Sequence, residues 1–62
     1  MNRIREVATR KKIKIGQLIK ETGIAKSSIY KVINGEYEPT VSNAMKIAKV
    51  LDTTVEELFV LI

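Results

Sequence analysis

Apolar residues recur along this chain at spacings of three and four rather than two, and turn-forming residues interrupt them about every ten positions. That period predicts helices and no strong strand. A first helix is expected from about Asn2 to Lys11, with Ile4, Val7 and Ala8 on one stripe and its arginines on the other side. A second, Ile15 to Thr22, would bury Ile15, Leu18 and Ile19 and stop at Gly23, a residue free to take the left-handed conformation that closes a helix. Only Ile24 and Ala25 separate it from a third helix, Lys26 to Ile33, whose inner face is Ile29, Val32 and Ile33 and whose end is marked by Asn34 and Gly35. So tight a turn excludes antiparallel packing of long helices.

The loop Glu36-Tyr37-Glu38-Pro39 leads to Thr40, a good N-cap, and to a helix reaching about Leu51 with Val41, Ala44, Ile47, Ala48 and Leu51 facing inward. Thr54-Val55-Glu56-Glu57 reads as a capping box that opens a last helix, on which Val55, Leu58, Phe59 and Ile62 continue the apolar stripe. Residues 59–62 hold more apolar surface than one stripe can bury. On a helix Val60 and Leu61 would point away from the Leu58 side, so a homodimer contact through Phe59, Val60 and Leu61 is expected.

Sixty-two residues leave room for one domain, residues 1–62, with no separate catalytic or sensor unit. The chain has no cysteine and no histidine, which removes disulfides and the usual zinc ligands as sources of stability. Regular helix packing and self-association remain. With no converging carboxylates, the sequence reads as a non-enzyme without cofactor, metal or small-molecule ligand. The longest apolar run, Leu58 to Ile62, is far short of the roughly 20 residues that span a bilayer, so no membrane span and a cytoplasmic location are expected.

Charge changes the picture more than composition does. Up to Lys31 the chain carries nine bases against Glu6 and Glu21, a net +7; beyond it, Lys46 and Lys49 face five acids, a net −3. One end of the domain attracts polyanions and the other does not. Residues 15–34 pair a short helix, a glycine turn and a second helix whose outer face is Lys26, Ser27, Tyr30 and Lys31. A major groove admits one α-helix whose early residues reach base edges while the preceding helix braces on the backbone.

On these residues, together with Arg3-Ile4-Arg5-Glu6, Gly23-Ile24, Ser27-Ser28-Ile29, Asn34-Gly35, Pro39-Thr40 and the ending Lys46 to Leu51 with Val55 to Phe59, the chain resembles the phage repressor and Cro type helix-turn-helix regulators, the XRE family. A LacI-type headpiece has a similar motif but opens directly with it, whereas a complete basic helix precedes it here. The resemblance implies an all-α, five-helix lambda-repressor-like bundle with the helix-turn-helix in helices 2 and 3. It also implies a sequence-specific double-stranded DNA-binding regulator, a repressor that occupies a pseudo-palindromic operator as a homodimer. Lys26, Ser27, Tyr30 and Lys31 match base-reading positions, and Asn34 a phosphate-binding one; Gln17, Lys14 and Ser28 complete the expected phosphate contacts. Lysine donates to guanine or phosphate oxygens, serine to either, and tyrosine meets a thymine methyl or donates to phosphate.

Four departures from the family pattern carry expectations of their own. Ile15 stands where a phosphate-binding glutamine is usual, so Gln17 or the amides around Gly16 would take that contact. Ala25 replaces a serine cap, at a cost of about 1 kcal/mol. Glu36 and Glu38 occupy positions often basic in relatives and would weaken attraction to the backbone. A usual arginine–glutamate pair becomes Ala8 and Ile33, an apolar contact that avoids burying an ion pair.

Each residue also has a plainer reading. Lys26 and Lys31 could be solvated surface, Tyr30 a cover over apolar neighbours, Ser28 a first-turn hydrogen bonder, and Arg10-Lys11-Lys12 with Lys14 a charged helix end. An interaction module that binds protein rather than DNA competes with the regulator, supported by Glu36, Glu38, Ile15 and the uncapped third helix. Membrane attachment by the first helix is disfavoured, because Ile4, Val7 and Ala8 make too small an apolar face.

Overall fold

In the computed structural model, which describes residues 2–36 and 38–59, the described residues form five helices: α1 Ile4–Arg10, α2 Ile15–Thr22, α3 Lys26–Ile33, α4 Val41–Val50 and α5 Val55–Leu58. The fold is all-α and contains the helix-turn-helix in α2 and α3. The second and third helices have the bounds that the apolar spacing predicts. α4 packs against α2 and α5, and one core draws Ile4, Val7 and Ala8 from α1, Leu18 from α2, Ile29 and Val32 from α3, Ile47, Ala48 and Leu51 from the α4 end, and Leu58 from α5. Ile33 packs against the same cluster that holds Ala8, so neither residue of that apolar exchange lies free in solvent.

Four helices end alike. Lys12 (φ 59°), Gly23 (φ 74°), Gly35 (φ 75°) and Asp52 (φ 51°) each take the left-handed conformation just beyond a helix. After α1 the amides of Lys12 and Ile13 donate to Thr9 and Ala8 at 3.1 and 2.8 Å; after α4 those of Asp52 and Thr53 donate to Lys49 and Ala48 at 3.1 and 2.9 Å. These bonds satisfy carbonyls that a helix end otherwise leaves open. Lys11 joins the two turns, donating to the Asp52 carbonyl with its ammonium 3.8 Å from the Asp52 carboxylate.

The structure departs from the expected pattern at both ends. α1 begins at Ile4 because Asn2 lies outside it: the Asn2 side-chain oxygen accepts from the Ile4 amide at 3.1 Å, and its nitrogen donates to the Val32 carbonyl at 2.6 Å. α5 stops at Leu58. Phe59 is extended (φ −118°, ψ 105°) and forms an antiparallel bridge with Asn2, beside the Arg3 amide donating to Leu58 at 2.7 Å. The apolar stripe therefore does not continue helically through Phe59, and the expected positions of Val60, Leu61 and Ile62 lie outside the described residues, as does Tyr37. Val41, expected inside, is 78% exposed, since as the first residue of α4 it has no preceding turn to cover it. Ile15 and Ile19 are half-buried against the core rather than within it.

Candidate nucleic-acid interface

The angle between α2 and α3 is set by a turn of three residues, and its fixed points are a hydroxyl and an isoleucine. Thr22 is buried; its Oγ1 donates to the Leu18 carbonyl at 2.8 Å and accepts from the Ile24 amide at 3.2 Å. Ile24 is 9% exposed and belongs to the core, while the Gly23 amide donates to Ile19 at 3.0 Å. Neither Thr22 nor Ile24 stands out in the sequence. A threonine directly before a helix-closing glycine is the signal that marks one, and an isoleucine between glycine and alanine in a polar turn marks the other.

So positioned, α3 buries Ile29 and Val32 and turns its opposite side outward. Lys26, Ser27, Tyr30, Lys31 and Asn34 are all exposed, Tyr30 at 36%. At about 100° per residue these five fall within an arc of roughly 140°, with Lys26, Tyr30 and Asn34 in one row. Ser28 sits at the edge of this face, half-buried. The expected groove-facing set is thus brought together on one surface.

The first turns of α2 and α3 differ from those of the other helices. α4 and α5 are capped by Thr40 and Thr54, whose hydroxyls accept from Asn43 and Glu57 at 3.1 Å each; ahead of α1, whose cap position is Arg3, the Asn2 side-chain oxygen accepts from the Ile4 amide. At α2 and α3 the cap positions are Lys14 and Ala25; neither supplies a side-chain bond, and neither first turn contains an acid. Their leading amides thus have no side-chain acceptor from the cap position, the arrangement that suits an incoming anion. Gly16 is exposed, with open space where a Cβ would stand. Beside this turn runs a shallow groove between α1 and α2, floored by Ile13 and Ile15 and rimmed by Arg5, Lys12 and Lys14.

Two expected phosphate donors are already engaged. Gln17 Nε2 donates to the Glu21 carboxylate at 2.7 Å, and Asn34 Nδ2 lies 3.5 Å from the Glu36 carboxylate. Sequence reading treats Gln17 and Asn34 as free. Helical i to i+4 spacing could have revealed the first pair. Phe59, expected at a dimer contact, is half-buried against the chain's own core and paired with Asn2; Val60 and Leu61 lie outside the described residues. Among the described residues no helix is long and apolar enough to cross a membrane.

A short helix, a pinned turn and a second helix with an outward polar and cationic face define a helix-turn-helix DNA-binding domain. The chain belongs to the family described as Cro/C1-type HTH DNA-binding domain, whose sequence model matches residues 3–62. No match was found among the curated proteins or among the solved structures.

Proposed function

We propose that this chain is a sequence-specific regulator of transcription, a repressor of phage or mobile-element type that acts by occupying a pseudo-palindromic operator as a homodimer, without enzymatic activity. The observation that carries the reading is the outward face of α3: Lys26, Ser27, Tyr30 and Lys31 are exposed together, opposite the buried Ile29 and Val32. Lys26 and Ser27, in the first turn of α3, and Tyr30 one turn on, reach base edges; Lys31 reaches base or phosphate. The open first turn of α2 takes a phosphate with Lys14 and Gln17 beside it, and Ser28 and Asn34 flank the groove. Two copies would set their α3 helices about 34 Å apart, one turn of duplex.

Selection of bound sequences from a random duplex pool, followed by titration of the selected site, tests this. Ser27→Ala and Tyr30→Ala should change preference at particular base pairs. Lys14→Ala should weaken all sequences alike and lower the salt slope by about one. The engaged Gln17 and Asn34 favour a second reading, a protein-binding module. Absence of duplex binding at low salt would select it over the regulator.

A further inference from the structure

The chain has three asparagines, Asn2, Asn34 and Asn43, followed by Arg3, Gly35 and Ala44. Asparagine is a labile residue, because the backbone nitrogen of the next residue can attack its side-chain carbonyl carbon. A side chain on that next residue crowds the attack. Asn34 alone is followed by a residue that has none. Asn34 and Gly35 are both exposed at the end of α3, and nothing lies within 4 Å of where a Gly35 Cβ would stand, so base and water have access. The Gly35 amide donates to the Val32 carbonyl at 3.1 Å, which occupies the attacking nitrogen. Yet that bond closes an exposed helix end, the part of a helix that opens most cheaply. The other two sites are better protected. Asn2 and Asn43 are half-buried; the Asn2 side chain is bonded through both its oxygen and its nitrogen, and Asn43 lies in the first turn of α4.

We infer that Asn34–Gly35 is a site of spontaneous deamidation and isomerisation, which turns a neutral amide at the end of α3 into a carboxylate. The Gly35 nitrogen, its proton given up to base, bonds to Asn34 Cγ as the bond from Cγ to Nδ2 breaks, and Nδ2 leaves as ammonia with a proton from solvent. Water then opens the cyclic imide. Opening at Cγ restores the main chain and leaves aspartate; opening at the main-chain carbonyl leaves isoaspartate, whose backbone is longer by a methylene. The sum is amide plus water giving acid plus ammonia.

The product fits its surroundings worse than the amide does. A carboxylate at position 34 meets that of Glu36, which lies 3.5 Å from Asn34 Nδ2, and it stands at the negative end of the α3 dipole. In isoaspartate the added methylene also displaces the Gly35 and Glu36 amides, whose bonds to Val32 and Lys31 at 3.1 and 2.8 Å close the helix. Lys31, three residues back, is within reach of the new charge. One consequence rests on the regulator reading: conversion exchanges a phosphate donor for an anion, so the hold on DNA declines as the protein ages.

Incubating the full chain in warm, mildly alkaline buffer, with peptide mapping by mass spectrometry and enzymatic methyl-labelling of isoaspartate, tests the chemistry without DNA. Asn34 should convert several times faster than Asn43, and more slowly than in a free peptide of residues 31–36, because the folded chain must first release the Gly35 amide. Asn34→Gln should abolish the isoaspartate signal. Equal conversion at Asn34 and Asn43, or none at Asn34 while the peptide reacts, overturns the inference. Duplex titration reads the consequence separately: the aged chain and fresh Asn34→Asp should each bind about tenfold more weakly than the fresh chain at low salt. An aged chain that has converted yet binds as tightly as a fresh one overturns the link to DNA. A fresh chain that binds no duplex removes the regulator reading, while conversion at Asn34, read by mass, still supports the site.

Discussion

At the scale of single residues, the least obvious positions are those that close helices without being glycine. Lys12 holds φ at 59° after α1, a region that costs an L-residue with a Cβ roughly 1–2 kcal/mol. Lys12→Gly should raise stability by about 0.5–1 kcal/mol, the glycine's freer unfolded chain offsetting part of the relief, and lift the melting temperature by a few degrees in a calorimetric scan. Gly23→Ala should do the reverse: although open space surrounds the added methyl, φ is 74°, and about 1 kcal/mol should be lost from backbone conformation alone. Gly23 and Gly35 are legible in the sequence as helix ends because glycine is the residue that position favours. Lys12 and Asp52 are not, since neither residue type announces a left-handed turn. Val41 misleads for a related reason: its spacing matches the core stripe, but exposure at a first turn depends on what lies before the helix.

At the scale of elements, α2 and α3 form the part of the fold that periodicity describes best, because their ends are set locally, by Gly23, Ala25 and Gly35. α1 and α5 are shorter than their patterns suggest. Their limits come from Asn2 and Phe59, which pair across the whole length of the chain, and no window of neighbouring residues records that pairing. The same division holds for the candidate interface. Which side chains of α3 face outward follows from helical spacing, but the hold of carboxylates on Gln17 and Asn34 is a property of rotamers. Glu36 lies beside the end of α3 and competes for Asn34 with any incoming phosphate. Glu36→Gln should therefore tighten binding to duplex DNA roughly three- to tenfold at low salt, with the gain shrinking as salt rises, as fluorescence anisotropy titrations would record.

At the scale of the molecule, the two ends of the described chain are fastened together. Asn2 accepts from the Ile4 amide at the start of α1, donates to the Val32 carbonyl of α3 and bridges Phe59, while Arg3 donates to Leu58. A chain of this size has a total stability of about 3–9 kcal/mol. Asn2→Ala removes its bonds to the Ile4 amide and to the Val32 carbonyl, which keeps the Gly35 amide at 3.1 Å, so a loss of about 1 kcal/mol is expected in urea denaturation, a sizeable share of that total. An exposed charge such as Glu56 should show almost no change in the same experiment.

This fastening also bears on how the domain comes into being. A nascent chain leaves the ribosome from its N-terminus, so Asn2 and Arg3 emerge long before Phe59 and Leu58 exist to receive them. Until synthesis reaches Leu58 and Phe59, the residues just ahead of the first helix lack the partners that seat them. The contacts that join the two ends of the described chain therefore form only after the Leu58–Phe59 segment is made.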